Sequence, residues 1–88
     1  MTERQVTIIN RAGMHLRPAG VLVKAIKDFN SNIYFEKGST RINAKSVMGI
    51  VTLAAGYGTE LRIIAEGEDE KEAVETIARL FESKFEEE

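Results

Sequence analysis

Ile33-Tyr34-Phe35-Glu36-Lys37-Gly38-Ser39-Thr40-Arg41-Ile42-Asn43-Ala44 decides the fold of this chain of 88 residues. Ile33 and Phe35 point one way, Tyr34 and Glu36 the other, which is the period of a strand with one buried face. Lys37-Gly38-Ser39 is a tight hairpin connection, and Thr40 to Ala44 resumes as a short strand with Ile42 inward. Strands joined this closely run antiparallel, because a parallel pair needs a long crossover.

The flanking segments repeat the pattern. Arg4 to Asn10 alternates, with Val6 and Ile8 on one side and Gln5 and Thr7 on the other. Thr59 to Glu66 sets Leu61, Ile63 and Ala65 inward against Glu60, Arg62, Ile64 and Glu66, before Gly67 breaks it. Helical periods lie between. Ala19, Leu22, Val23 and Ile26 form one apolar face, with Lys24, Lys27 and Asp28 turned to water, and Asn30-Ser31-Asn32 reads as the following turn. Ser46 can cap a short second helix carrying Val47, Ile50, Val51 and Ala54 on one face, closed by Gly56-Tyr57-Gly58. Asp69, with Glu72 three residues later, reads as a capping box that uses a carboxylate. Val74, Ile77, Ala78, Phe81 and Phe85 then trace the stripe of a last helix, and Glu86 to Glu88 read as a frayed tail. The order β-α-β-β-α-β-α, with strands that keep one face wet, predicts an α+β fold. Its form is an open-faced β-sandwich, a four-stranded antiparallel sheet with three helices on one face. Residues 1–88 read as a single domain without repeats or linkers.

A chain of this size supports one core but not a deep enclosed cavity as well, so a surface site is expected. The absence of cysteine excludes disulfides and thiol chemistry and suits a reducing cytosol, so the expected location is cytoplasmic. Met1 to Arg4 run straight into a strand, and no apolar stretch approaches ~18 residues, so neither a signal peptide nor membrane insertion is expected. Lys+Arg 12 against Asp+Glu 14 gives a net charge of −2. That balance lacks the broad basic surface of a nucleic-acid binder. The charge is uneven: most carboxylates lie from Glu66 onward, whereas Arg11, Arg17, Lys24 and Lys27 make a positive region suited to acidic partners or phosphate donors. Acid in the first turn of a helix answers the macrodipole, so Glu66 to Glu72 is not read as a metal box, and no cofactor is expected.

The chemistry gathers in Gly13-Met14-His15-Leu16-Arg17-Pro18-Ala19, which holds the only histidine and the only proline. Pro18 suits the first turn of a helix, so His15 stands just before a helix start. Unpaired N–H groups and the positive end of the macrodipole make such a start a seat for an anion such as a phosphoryl group. A neutral imidazole keeps one nitrogen lone pair as a nucleophile, and Arg17 can place a planar cationic fork on phosphate oxygens. These pieces suit phosphoryl acceptance, and they also suit a general base or a histidine that merely caps a helix. No serine, cysteine or acid stands where it recommends itself as a hydrolase partner. Met48 turns away from the core on the second helix, where it marks a protein contact or ordinary packing.

Two motifs, Gly13 to Ala19 and Lys45-Ser46-Val47-Met48-Gly49, carry a likeness over essentially the whole chain. The sequence resembles HPr, the histidine-containing phosphocarrier family of the bacterial phosphoenolpyruvate:sugar phosphotransferase system. The resemblance implies that His15 accepts a phosphoryl group from phospho-Enzyme I and passes it to sugar-specific IIA domains, with Arg17 as the phosphate clamp. The chain would then be a covalent intermediate between partner enzymes, not an enzyme itself. It further implies partner contacts through Val47 and Met48. Ser46 would be the target of an HPr kinase/phosphorylase in lineages that have one, linking sugar uptake to carbon catabolite control. A monomer is the expected state. Three positions depart from the family's usual pattern: Ala12 lacks a polar group for phosphate, Leu16 replaces a small or hydroxyl residue, and Gly20 lies inside the helix.

Overall fold

The alternation in the four strand segments closes into one antiparallel sheet. The computed structural model describes residues 1–86. Its strands β1 (Thr2–Thr7), β2 (Asn32–Lys37), β3 (Thr40–Asn43) and β4 (Glu60–Glu66) lie in the order β1-β4-β2-β3. Lys37 pairs with Thr40, which leaves Gly38-Ser39 as the turn of the β2–β3 hairpin, entered through Gly38 at φ 59°. Val6 faces Leu61, and Phe35 faces both Ile63 and Ile42, so the inward residues of the four strands share one face.

Three helices cover that face: α1 (Leu16–Ile26), α2 (Val47–Thr52) and α3 (Glu70–Glu82). Leu22 and Ile26 of α1, Ile50 of α2 and Ile77 and Phe81 of α3 bury against the inward strand residues. Each such side chain removed from water contributes about 2 kcal/mol. The predicted α+β open-faced sandwich is therefore the observed fold. The opposite face is held by solvated charge: Arg62 reaches Glu3 at 3.2 Å and Glu36 at 3.5 Å, and Arg41 meets Glu36 at 2.7 Å while lying over the Tyr34 ring. Ile64 belongs to this outer face, yet it is only 2% exposed, lying cross-strand from Glu3 and Tyr34.

Several expected boundaries shift for physical reasons. β1 stops at Thr7, and the chain then leaves the ladder, with the Ile8 N–H donating to the Thr59 carbonyl at 2.9 Å. α2 ends at Thr52, so Ala54 does not share its apolar face; it is exposed in the left-handed region at φ 53°. α3 ends at Glu82, so Phe85 is not on its stripe. Lys84, Phe85 and Glu86 instead form a left-handed turn, at φ 57°, 57° and 65°. The turn lays the buried Phe85 ring edge-on to Phe81, at a centroid distance of 4.8 Å. Of the expected frayed tail, Glu86 belongs to this turn and the last two residues lie outside the described residues.

The capping box at α3 is also absent. Asp69 occupies the N-cap position, its carbonyl accepting the Ala73 N–H at 3.0 Å, but its side chain makes no cap bond into the helix. Its carboxylate instead accepts from the N–H groups of Asn30 and Ser31, at 2.8 and 2.9 Å, and from the Ser31 hydroxyl, tying the α1–β2 turn to the start of α3. The Ser31 hydroxyl above all, helped by the Asn30 N–H, lowers the Asp69 pKa. Glu70 is drawn from 4.5 down to about 2, first by the Thr2 hydroxyl, then by the Gly67 N–H and the amino terminus. The amino terminus itself lies 3.1 Å away.

The loop before α1 is set by a close backbone contact. Gly13 has φ 74°, and a Cβ on it would stand 2.9 Å from Gly56 Cα and 3.0 Å from the Ala55 carbonyl oxygen. Beside that contact the Met14 N–H donates to the Ala55 carbonyl at 2.8 Å. The Asn10 side-chain amide donates to the Gly13 carbonyl, also at 2.8 Å, which fixes the loop from its other side. Gly20, by contrast, sits within α1 with nothing within 4 Å of an added Cβ.

The same substitution should therefore have opposite signs at these two glycines. In denaturant unfolding, Gly20→Ala should raise stability by about 1 kcal/mol. Gly13→Ala should lower it by about 1–3 kcal/mol, because both the φ and the space are wrong. A second expectation concerns acid. A carboxyl whose folded pKa is depressed adds stability above its unfolded value and loses it as pH falls through the folded one. For Glu70 that window runs from 4.5 to about 2. Tm followed downward from neutral pH should drop through this window, and Glu70→Gln should flatten the drop.

Candidate functional site

His15 is the N-cap of α1. Its backbone is extended, at φ −93° and ψ −169°, and its carbonyl accepts from the Ala19 N–H at 3.2 Å. The preceding Met14 side chain is buried, so the chain is anchored one residue before the histidine and releases His15 to an exposed position. The imidazole makes no capping hydrogen bond into the helix.

α1 begins at Leu16, two residues earlier than Pro18. Pro18 therefore occupies the third helical position, still in the first turn, and its missing N–H leaves Leu16 and Arg17 as the backbone donors there. No acidic residue lies in that first turn, so the positive end of the dipole is not answered from within the helix. Arg17 is exposed, and among the described residues no carboxylate lies within ion-pair distance of it. Arg11, Lys24 and Lys27 are exposed as well, so the expected positive region is present around the histidine's helix. An exposed nucleophile, two backbone donors and an uncommitted guanidinium can receive an anionic group delivered from outside.

The second predicted cluster stands at the start of the neighbouring helix, since α1 and α2 pack together. Ser46 is the N-cap of α2, and its hydroxyl accepts from the Gly49 N–H at 3.0 Å, as the capping reading expects. Gly49 is tight here: a Cβ on it would lie 3.3 Å from the Ser46 hydroxyl oxygen. Val47 is half-buried and packs against the core, whereas Met48 is 65% exposed. Leu16 on α1 is exposed to a similar degree, at 64%. The structure thus places His15 and Arg17 at one helix start and Ser46, Val47 and Met48 at the next.

Nothing in the local sequence announces the seat that the 55–56 backbone makes for Gly13 and Met14. The only trace is Gly13 itself, paired at a distance with Gly56-Tyr57-Gly58, which reads on its own as a helix terminator.

Comparison with known proteins shows the family. The family model described as "PTS HPr component phosphorylation site" matches residues 2–83. Phosphocarrier protein HPr of Treponema pallidum is 48% identical over 88 residues, the whole of both chains. HPr-like protein Crh of Bacillus subtilis is 41% identical over 78 residues, covering 89% of this chain and 92% of that one. Among solved structures, HPr-C-His from Thermoanaerobacter tengcongensis superposes with a TM-score of 0.95 at 43% identity, covering 100% of this chain and 99% of that one. Matched by the family model over residues 2–83 and by a phosphocarrier HPr over its full length, this chain belongs to the HPr family, the phosphocarriers of the sugar phosphotransferase system.

Proposed function

We propose that the chain carries its phosphoryl group on His15, taking it from phospho-Enzyme I and delivering it to sugar-specific IIA domains. The observation that carries this reading is the exposed His15 at the start of α1, with Arg17 two residues on and no acid in the first turn. The lone pair of an unprotonated ring nitrogen attacks phosphorus in line, and the bond from phosphorus to the donor's leaving atom breaks. The Leu16 and Arg17 N–H groups and the Arg17 guanidinium face the phosphoryl oxygens in the transferring and the bound states. Held too tightly, the group would be trapped. A surface site that relies on its partners for the remaining contacts avoids this and makes the chain an intermediate between enzymes.

Met48 and Leu16, with half-buried Val47 between core and surface, form the apolar part of the face that partners meet, and the exposed cations supply its charge. Ser46 is the proposed target of an HPr kinase/phosphorylase. A phosphate there would remain an acceptor at the start of α2 while adding negative charge to the docking face. The relative from Bacillus subtilis is described as a catabolite repression protein, which supports a regulatory use of this second helix start. We read residues 1–88 as one domain that works as a cytoplasmic monomer, although a dimer has been solved for HPr of Thermoanaerobacter tengcongensis.

Incubation with phosphoenolpyruvate and Enzyme I should add one acid-labile phosphoryl group by intact-mass spectrometry, and His15→Ala should abolish the gain. Arg17→Ala should accept the group at least roughly tenfold more slowly with its Tm unchanged. Absence of any gain, with an Enzyme I shown to be active on another HPr, would sink the carrier reading.

A further inference from the structure

We infer that Lys37, remote in sequence from the histidine, is a positioning residue for transfer at His15; the inference rests on the carrier reading above. Lys37 is the last residue of β2 and is half-buried. Its Nζ donates to the Leu53 carbonyl at 2.8 Å and to the Ala54 carbonyl at 3.4 Å. These carbonyls close α2, where the chain leaves orphan acceptors and the negative end of the helix dipole. α2 has no basic residue in its own last turn, so the cation comes from the hairpin. It bonds there to a segment whose Ala54 takes a left-handed φ of 53° without being glycine, a backbone conformation that an L side chain disfavours. The Leu53 and Ala54 N–H groups also support that segment, donating to the Ile50 and Val51 carbonyls at 3.1 and 3.0 Å.

The next residue is the seat of the histidine loop. The Ala55 carbonyl accepts the Met14 N–H at 2.8 Å, and the Gly56 backbone lies against Gly13. Consecutive contacts therefore run from the Lys37 ammonium to the carbonyls of Leu53 and Ala54, then from Ala55 to Met14, the residue before His15. There is no slack in the last of them, since a Cβ at Gly13 would have no room. With its ammonium removed, the 53–56 segment relaxes, the Met14 anchor loosens, and His15 loses its fixed place against the donors of α1.

Lys45 provides an internal comparison. Its Nζ donates to the Phe29 carbonyl at 2.6 Å, beyond the end of α1, and so makes the same kind of bond at a helix end with no seat beneath it. The test uses Lys37→Met, which keeps the aliphatic stem, with Lys37→Arg and Lys45→Met beside it. In the unphosphorylated protein, Met14 N–H exchange should accelerate about tenfold in Lys37→Met, return towards wild type in Lys37→Arg, and stay unchanged in Lys45→Met. Amides of the β1–β4 ladder should not move. Transfer from phospho-Enzyme I should fall about tenfold in Lys37→Met, chiefly in kcat, and recover in Lys37→Arg. Unchanged Met14 exchange, equal acceleration across the ladder or in Lys45→Met, or loosened Met14 with unaltered transfer would each overturn the inference. A wild-type chain that takes no phosphoryl group brings down the carrier reading; wild type and Lys37→Met taking it equally fast bring down only the role of Lys37.

Discussion

Where Gly13 meets the 55–56 backbone, two loops approach so closely that no side chain fits between them, and the placement of His15 depends on that contact. The Met14 N–H bonds across it, and the Met14 side chain is buried beside it. A histidine on a free loop would sample many positions, whereas one tied down at the residue before it has only its own rotamers left to order. The sheet and its three helices serve this contact by fixing where the two loops begin and end.

The three helices treat their positive ends differently, and the difference sorts the molecule into a structural end and a reactive one. α3 fills its first turn with Glu70 and Glu72, and Glu70 folds back onto the Gly67 N–H at 3.1 Å. α2 spends its first turn on the Ser46 hydroxyl. α1 has no acid and no side-chain cap there. The acidic segment from Glu66 to Glu72, whose acids read from sequence as answering the helix macrodipole, is thus also partly consumed in holding strands and turns together. The basic residues near α1 are left facing water.

Most of the fold was legible because its periods are local. Strand alternation and the helical stripe of α1 depend on near neighbours in sequence, and a hairpin declares its direction within a few residues. What was not legible is what long-range contacts decide. Asp69 reads as a cap, but the Ser31 and Asn30 donors on another turn take its carboxylate. Phe85 falls in helical register with Phe81, yet it reaches the core through a left-handed turn that no glycine announces. Ile64 falls on the outward register with Glu60, Arg62 and Glu66, yet it is sealed by cross-strand neighbours. The site divides in the same way. His15, Arg17 and Ser46 show themselves by residue type and by position before or within a first helical turn, whereas the Ala55 and Gly56 seat and the Lys37 bond exist only after folding.

Pro18 at the third position of α1 has a consequence in stoichiometry. A phosphoryl group presents three terminal oxygens, each a strong acceptor. An ordinary helix start would offer a further N–H from its third residue, and the proline deletes it. Backbone donors alone then fall one short of the oxygens, and the remaining claim passes to a side chain that can swing, or to whichever protein docks. In the proposed role, shared ownership of the cargo would therefore be written into the covalent structure of one ring, since a visitor could take hold of an oxygen before the host had let go of the others.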